Sequence, residues 1–526
     1  MLVGLLEIRE TLQQHAHLYL FTVFVLLTWA IWLVKVGLSR RYRPWTEPYS
    51  TTTSVVIPVV DEPVELFRDV LQRIVDQGPT QVLVIINGRR NPVLEEVCEE
   101  FHSEIEWLWT PVAGKRNAVR VGTDRAIGDV VLLVDSDTIW TPGTLTELVK
   151  PFADPTIGGV TTRQRILEPQ RGFLTRWADW LENSRALYAM PAQSVLGTVG
   201  CLPGRTIAFR RRVLEEAMHD FMTQKFLGVF LEVSDDRTLT NLTLKMGFRT
   251  VYQSTSLVYT DAPTQLKKLI KQQFRWARGS QYNTLRMLPW MLGHAPLLAF
   301  FFVADILLPF LWLSSVIAWV LRATSHTGTD LYTGMLHLNG RSHPLIAVIT
   351  LTVLASTLSM CLRQLRHLYE APGDLFRMPL FILFSTLVLM PIRMYGFLRL
   401  GHVGGWGTRK NAFTAPGSAG AASGPSTGTH GDPVASGGYH LARKESARNE
   451  LAGNALAGNA LAGEEIAGMD STREQHEHGS VVTTPVATTA AVAHESSADG
   501  DPRGLIPYVI AIVILALGVG YDALLF

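Results

Sequence analysis

Apolar positions along this chain fall into three regimes. Long unbroken apolar runs occupy 18–36, 296–321, 344–362, 376–392 and 505–520. Between 45 and 285, short apolar runs alternate with stretches of helical spacing. Residues 411–504 show no periodicity and almost no aromatic residue. The first run is apolar up to Lys35, about the length that crosses a bilayer core. Lys35, Arg40, Arg41 and Arg43 follow it, which puts its C-terminal end in the cytoplasm by the positive-inside rule. A signal peptide carries its positive charge before the apolar run. The reversed order here predicts a retained anchor over 1–44.

The run at 296–321 contains Asp305, and an acid at membrane depth is functional or paired by default. The run at 376–392 leads into Arg393, Arg399, Arg409 and Lys410, which favour the cytoplasm on its far side. With 363–375 also cytoplasmic, this segment does not cross once and reads as re-entrant or interfacial.

In the middle regime, SVVIPVV (54–60), VLVIIN (82–87) and VVLLVDSD (130–137) are β-branched runs bounded by turn residues, the signature of buried strands. DEPVELFRDVLQRIVDQ (61–77) has helical spacing. Strand–helix–strand repetition predicts an α/β, Rossmann-like domain with a mostly parallel sheet. In the last regime Gly, Ala, Ser and Thr dominate, and a five-residue repeat, LAGNA-LAGNA-LAGEE-IAG, spans 451–468. Such a segment buries too little apolar surface to offset chain entropy and reads as a disordered tether.

Composition sharpens the class. Of 526 residues, 47% are hydrophobic and 18% charged, and the mean hydropathy is +0.17. Lys+Arg 47 against Asp+Glu 46 gives no support to a nucleic-acid partner. Cys98, Cys201 and Cys361 are too few and scattered for a disulfide framework, and none forms a CxxC pair.

Ligands of such sheets bind beyond the carboxyl ends of strands. Asp61 and Glu62 close the first strand, Asn87 the second, Asp135 and Asp137 the third. Asp61 also fits a helix N-cap. Two carboxylates one residue apart, in Asp135-Ser136-Asp137, suit a hard divalent cation bridging to phosphates, or else form a solvated turn. Gly114-Lys115-Arg116-Asn117 offers close approach and cations for phosphate, or a basic helix start; it is not a P-loop. Asp235 and Asp236, in Ser234-Asp235-Asp236-Arg237, read as first-turn acids of a helix or as a general base. TQLKKLIKQQFRWARGSQY (264–282) places Leu266, Leu269 and Ile270 on one face beside many cations. It lies on a membrane or turns Gln272, Arg275 and Trp276 into a site.

The order DE, DSDT, SDD, QQFRW and then apolar helices resembles the processive, membrane-embedded family-2 glycosyltransferases over roughly 18–410. The likeness is greatest to hyaluronan synthases, with cellulose, chitin and alginate synthases more distant. SDDRTLTN (234–241) is similar to that family's GDDR-LTN, and GWGTRK (405–410) to its gating loop. MPIRMYGFLRL (390–400) is similar to its interfacial helix. Two departures stand out: Leu202-Pro203-Gly204-Arg205 replaces the family's SGP or GP turn, and Ser234 replaces a glycine.

The resemblance implies a GT-A domain (45–285) in the cytoplasm and fused to a transmembrane α-helical region. It implies membrane and interfacial helices with the gating loop over 286–410, the tether at 411–504 and a last membrane helix at 505–526. It implies a UDP-sugar donor, a growing polysaccharide acceptor, a lipid bilayer around the helices and a multi-pass location in the cell membrane. Asp61, Glu62, Lys115, Asp135 and Arg275 would hold the donor, and Asp137 with Asp135 would bind Mg²⁺ or Mn²⁺. Asp236, beside Asp235, would be the base. Gln272 and Trp276 would hold the acceptor, and Trp406, Thr408 and Arg409 would form the gating loop. A single-sugar transferase and a membrane scaffold with a degenerate sugar-binding domain are the rival readings.

Overall fold

The computed structural model describes residues 20–230, 233–325, 344–402 and 502–524. The gating-loop residues Trp406, Thr408 and Arg409, the five-residue repeat and the 411–504 segment lie outside the described residues.

After helix α1 (Leu20–Ser39) the chain enters a run of strands and helices. It comprises β1 (Thr53–Val59), α2 (Val64–Val75), β2 (Gln81–Asn87), α3 (Pro92–Glu99), β3 (Glu106–Thr110), α4 (Lys115–Arg125) and β4 (Val130–Val134). Then come β5 (Thr138–Trp140), α5 (Thr144–Val149), β6 (Ile157–Ile166), α6 (Phe173–Ser184), α7 (Met190–Val195) and β7 (Thr206–Arg210). A π-helical turn, Arg185–Ala189, joins α6 to α7. The domain closes with α8 (Arg211–Thr223), α9 (Asp235–Lys245) and β8 (Arg249–Thr260). Helices α10 (Leu266–His294), α11 (Pro296–Ser325), α12 (Pro344–Arg363), α13 (Leu365–Glu370), α14 (Met378–Phe384), α15 (Met390–Leu398) and α16 (Ile506–Leu524) follow.

One eight-stranded sheet has the order β3-β2-β1-β4-β7-β6-β8-β5. Strands β3, β2, β1 and β4 are mutually parallel, as the strand–helix repetition predicts. The other half is mixed: β7 runs antiparallel to β4 and β6, and β5 antiparallel to β8, while β6 and β8 are parallel. A mostly parallel sheet therefore holds for one half only. The strand predicted over 130–137 ends at Val134, so both acids of the triplet sit on the turn beyond it.

Strands β1, β2 and β4 are buried on both faces, which is why they read as continuous apolar runs. Val55, Ile57 and Val59 of β1 join one core cluster and Val56 the other, following the period-two alternation of a strand. On α2, Phe67, Val70, Leu71 and Ile74 are buried, an i, i+3, i+4, i+7 stripe facing the sheet. Its N-cap position is Pro63, without a side-chain hydrogen bond, so Asp61 is not the cap.

Four helical stretches are long and apolar enough to cross a membrane, among the described residues: Thr22–Ser39, Pro296–Leu321, Met378–Leu398 and Arg503–Tyr521. By length and composition alone, Met378–Leu398 qualifies. Near its start, Met378 and Phe381 join a cluster with Trp177, Trp180 and Leu269 of the sheet domain and α10. At its end, the Tyr395 ring lies 5.1 Å from that of Phe274, and Gln281 donates to the Arg393 carbonyl at 2.9 Å. Both ends therefore rest on α10.

Candidate active site

The carboxyl ends of β1, β2 and β4 converge as the sequence pattern requires. Asn87, at the end of β2, is buried. Its amide donates to the Val59 carbonyl at 3.1 Å and accepts from the Gly114 N–H at 3.2 Å. This ties β1 to the loop that starts α4. The Ser136 hydroxyl donates to Glu62 Oε1 at 2.7 Å, joining the turn after β4 to the segment after β1. Asp61 is exposed, while Glu62, Lys115, Asp135 and Asp137 are half-buried around the same crevice.

Lys115, the first residue of α4, forms an ion pair with Asp135. Burial alone would lower the Lys115 pKa. Asp135, with Asp235 and Asp236 farther off, outweighs that and holds the ammonium above its ordinary value.

Helix α9 begins at Ser234, whose φ of 57° lies in the left-handed region. The next two acids part company there. Asp235 turns inward, and its carboxylate meets Arg116 Nε at 2.6 Å, both side chains almost fully buried. Arg116 also donates to the Phe221 carbonyl at 2.9 Å, and its guanidinium lies 4.9 Å from the Phe221 and Phe230 ring centres. Asp236 turns toward the crevice. One oxygen accepts from the Gly204 N–H at 3.2 Å and the other from the Arg237 N–H at 2.8 Å. Burial raises the Asp236 pKa, opposed by the Arg237 N–H and the Lys115 charge and reinforced by Asp235 and Asp135.

Gly204 is the hinge point of this arrangement. A Cβ there would sit 3.4 Å from Asp236 Cβ and 3.5 Å from Lys115 Nζ, so the turn, the acid and the cation meet at one place. The turn is held to α9 by the Leu202 N–H donating to Thr240 Oγ1 at 3.1 Å. Cys201 is beside it, its Sγ 4.0 Å from Asp236 Oδ2. Burial, and then the Asp236 charge, push that thiol up to about 12, which leaves it inert as a nucleophile.

A cleft beside this turn is lined by Glu182, Arg205, Asp261, Gln272, Gln273 and Trp276. The Arg205 guanidinium lies 5.6 Å from the Trp276 ring centre, within cation–π range. It also meets Glu182 at 3.1 Å and Gln164 at 2.8 Å. Gln272 and Trp276 thus line a cleft that Arg205 joins to the Gly204 turn, and Arg275 is half-buried on the same helix. The expected single apolar face of this segment is split. Leu269 is buried among Trp177, Trp180 and Phe381, whereas Leu266 and Ile270 are exposed with Lys267, Lys268 and Lys271. α10 reaches the acid-bearing turn because Gly279 has no side chain: a Cβ there would lie 2.0 Å from Ser234 Oγ.

Asp305 of α11 has a cation within electrostatic reach, Arg237, whose guanidinium packs 4.0 Å from the Phe302 ring centre. Glu182 and Gly204 were not singled out as site residues in the sequence. Their only signal is the unusual Pro-Gly-Arg turn, because contacts between α6 and that turn are set by the fold.

Among the described residues, no group of three or more His, Cys, Asp or Glu side chains could hold a metal ion. The oxygen pair of Asp135 and Asp137 fits a different arrangement, in which a hard cation takes one or two carboxylates and completes its shell with phosphate oxygens and water.

Comparisons with known proteins place the chain in a family. A family model described as glycosyltransferase-like family 2 matches residues 50–279. A hyaluronan synthase of Streptococcus pyogenes is 28% identical over 73% of this chain and 90% of its own. An N-acetylglucosaminyltransferase of Mesorhizobium japonicum is 30% identical over 70% of this chain and 84% of its own. One from Rhizobium meliloti is 29% identical over 71% and 86%.

Proposed function

Because the chain belongs to the glycosyltransferase family 2 and carries its GT-A-type sheet, we propose that it polymerises sugar from a UDP-sugar donor and passes the product across the membrane that holds it. The carrying observation is the meeting of Asp236, Lys115, Asp135 and the Gly204 N–H at one point, beside the cleft that holds Gln272 and Trp276. A base, cations for a diphosphate and an aromatic sugar platform are the parts that glycosyl transfer requires.

Asp236 takes the proton of an acceptor hydroxyl. The hydroxyl oxygen bonds to the anomeric carbon of the donor as the bond to the nucleoside diphosphate breaks, with inversion at that carbon. A positioned base supplies about 10²–10⁴-fold. Asp236 holds this role because it faces the crevice. Asp235 spends its charge on Arg116 and fixes the start of α9. Trp276 presents its ring to the terminal acceptor sugar, and Gln272 donates to its hydroxyls, holding the nucleophile in place. Lys115 and Arg275 balance the charge left on the diphosphate. Asp135 and Asp137 would hold Mg²⁺ or Mn²⁺ together with the donor phosphates, where such an ion supplies Lewis-acid neutralisation of the leaving group.

On this reading the catalytic domain lies on the cytoplasmic face of the cell membrane, where the basic residues after α1 would lie, with α1, α11, α16 and the apolar run at 344–362 crossing the bilayer. Residues 378–398 lie along α10 at the interface, because both ends of the segment pack on that helix. The relatives named N-acetylglucosaminyltransferase keep single-sugar transfer as the second reading.

Membrane vesicles bearing the protein decide between them. They are supplied with UDP-GlcA and UDP-GlcNAc, singly and together, and with UDP-Glc, in the presence of Mg²⁺ or Mn²⁺. Polymer made only from the first pair supports a hyaluronan-type synthase, and polymer from UDP-Glc a different sugar. UDP release without polymer overturns processivity.

A further inference from the structure

The segment between α12 and α14 is joined to α6 by a buried polar chain that the chemistry above does not use. Asn183, His367 and Asp374 are each fully buried. Asn183 Oδ1 accepts from Arg163 at 3.2 Å, and its Nδ2 donates to Glu370 at 2.8 Å. That orientation aims the same Nδ2 at His367 Nδ1, 3.1 Å away. Nδ1 must then be the acceptor, so the imidazole is neutral with its proton on Nε2. Nε2 donates to Asp374 Oδ2 at 2.9 Å, and the other Asp374 oxygen accepts from Arg176 at 2.8 Å. Every polar atom of the ring is satisfied in one tautomer only, so the chain is directional and stiff.

Its two ends touch different parts of the machine. Glu182, next to Asn183, meets Arg205 at 3.1 Å, beside Trp276 and one residue from the Gly204 N–H that holds Asp236. On the other side, the Arg363 carbonyl accepts from Trp32 at 2.9 Å, and Arg366 donates to Ser39 at 3.0 Å, which ties the same segment to α1.

We propose that His367 is a positioning residue: as a neutral Nε2–H tautomer it locks the α12–α14 segment to α6, sets Glu182 and Arg205 beside Trp276, and thereby governs how long the acceptor is retained. The last clause rests on the polymerising reading; the coupling itself does not.

The full chain in vesicles or nanodiscs carries the test, with His367→Ala and His367→Gln, the latter keeping a donor toward Asp374. In His367→Ala the expected product length falls about tenfold, the equilibrium change that accompanies loss of one buried hydrogen bond. Donor KM stays within about twofold, since no donor-binding group moves. His367→Gln recovers part of the length, which a general loss of stability would not give. Hydrogen exchange, read without any donor, rises in His367→Ala both at 363–377 and at the 200–206 turn. Product of wild-type length, or exchange that rises at 363–377 alone, overturns the proposal. Wild-type vesicles that release UDP but build no polymer remove the polymerising reading, and the exchange measurement still decides the coupling.

Discussion

The two halves of the sheet solve different problems. In the parallel half, β3-β2-β1-β4, the three inner strands β2, β1 and β4 are buried on both faces and lead into polar residues: the segment after β1 into Asp61 and Glu62, β2 into Asn87, β4 into Asp135 and Asp137. Its site is a by-product of topology, since parallel strands bring their carboxyl ends to one edge. In the mixed half, the functional groups come from α6, the turn before β7, α9 and α10, and they meet through side-chain bonds such as Glu182–Arg205 and Gly204–Asp236. The first half places a crevice by register. The second half places Asp236, Gln272 and Trp276 by packing, and it also bears the contacts to the apolar helices. On the proposed function, the donor would lie against the register-built half and the acceptor against the half tied to the helices beside it.

The sharpest break of this comparison is Asp236→Asn, which should lower transfer by about 10²–10⁴-fold with the protein still folded; UDP release by purified protein in nanodiscs measures it. Activity retained within about twofold would take the base away from α9. Next is Arg116→Met, which leaves Asp235 buried and unpaired and should cost about 3–5 kcal/mol of stability, read as a fall in folded protein and in melting temperature. If Arg116→Met is tolerated, Asp235 does not anchor the helix that carries Asp236.

Gly279→Ala drives a methyl group against Ser234 Oγ and should cost about 1–3 kcal/mol. Transfer should fall with it, because α10 and the Asp236 turn are pushed apart. The smallest effect belongs to the register-built half: Ser136→Ala loses one hydrogen bond to Glu62 and should cost about 0.5–1.5 kcal/mol, with a modest rise in donor KM.

A pH profile sharpens the same contrast. Asp236 works as a base only when deprotonated, and burial raises its pKa. The acid limb of the rate profile should therefore lie above the ordinary carboxylate range, with activity rising as pH increases through it. Lys115 opposes that rise, so Lys115→Met should move the limb to still higher pH. An unmoved limb would show that Lys115 does not face Asp236 in the working enzyme.

Much of the parallel half could be read from the chain. The strands at 54–60, 82–87 and 130–137, the helix at 61–77, and the polar residues that close them are local patterns: buried parallel strands are continuous apolar runs, and ligand groups follow them directly. QQFRW and the paired acids were visible as a set. The direction of each side chain was not. Leu266 and Ile270 share helical spacing with Leu269, yet only Leu269 finds a partner, because the partners come from α6 and α14, far along the sequence. Met378–Leu398 has the composition of a span, and its contacts with α10 at both ends, which support the interfacial reading, are visible only in the fold.

The sequence by itself determined the α/β class, the apolar helices, the family and the candidate site residues, because periodicity, strand-end acids and motif spacing are properties of neighbours in the chain. Tertiary structure decided the rest. It separated Asp235 from Asp236, one drawn into Arg116 and the other held at Gly204 beside Lys115. It brought Glu182 and Arg205 to Trp276, and it wired His367 to Asn183. Adjacent carboxylates are chemically identical on paper. They take different roles here because a helix start in the left-handed region points one into the core and the other into the crevice, and burial, charge and hydrogen bonding then act on each separately.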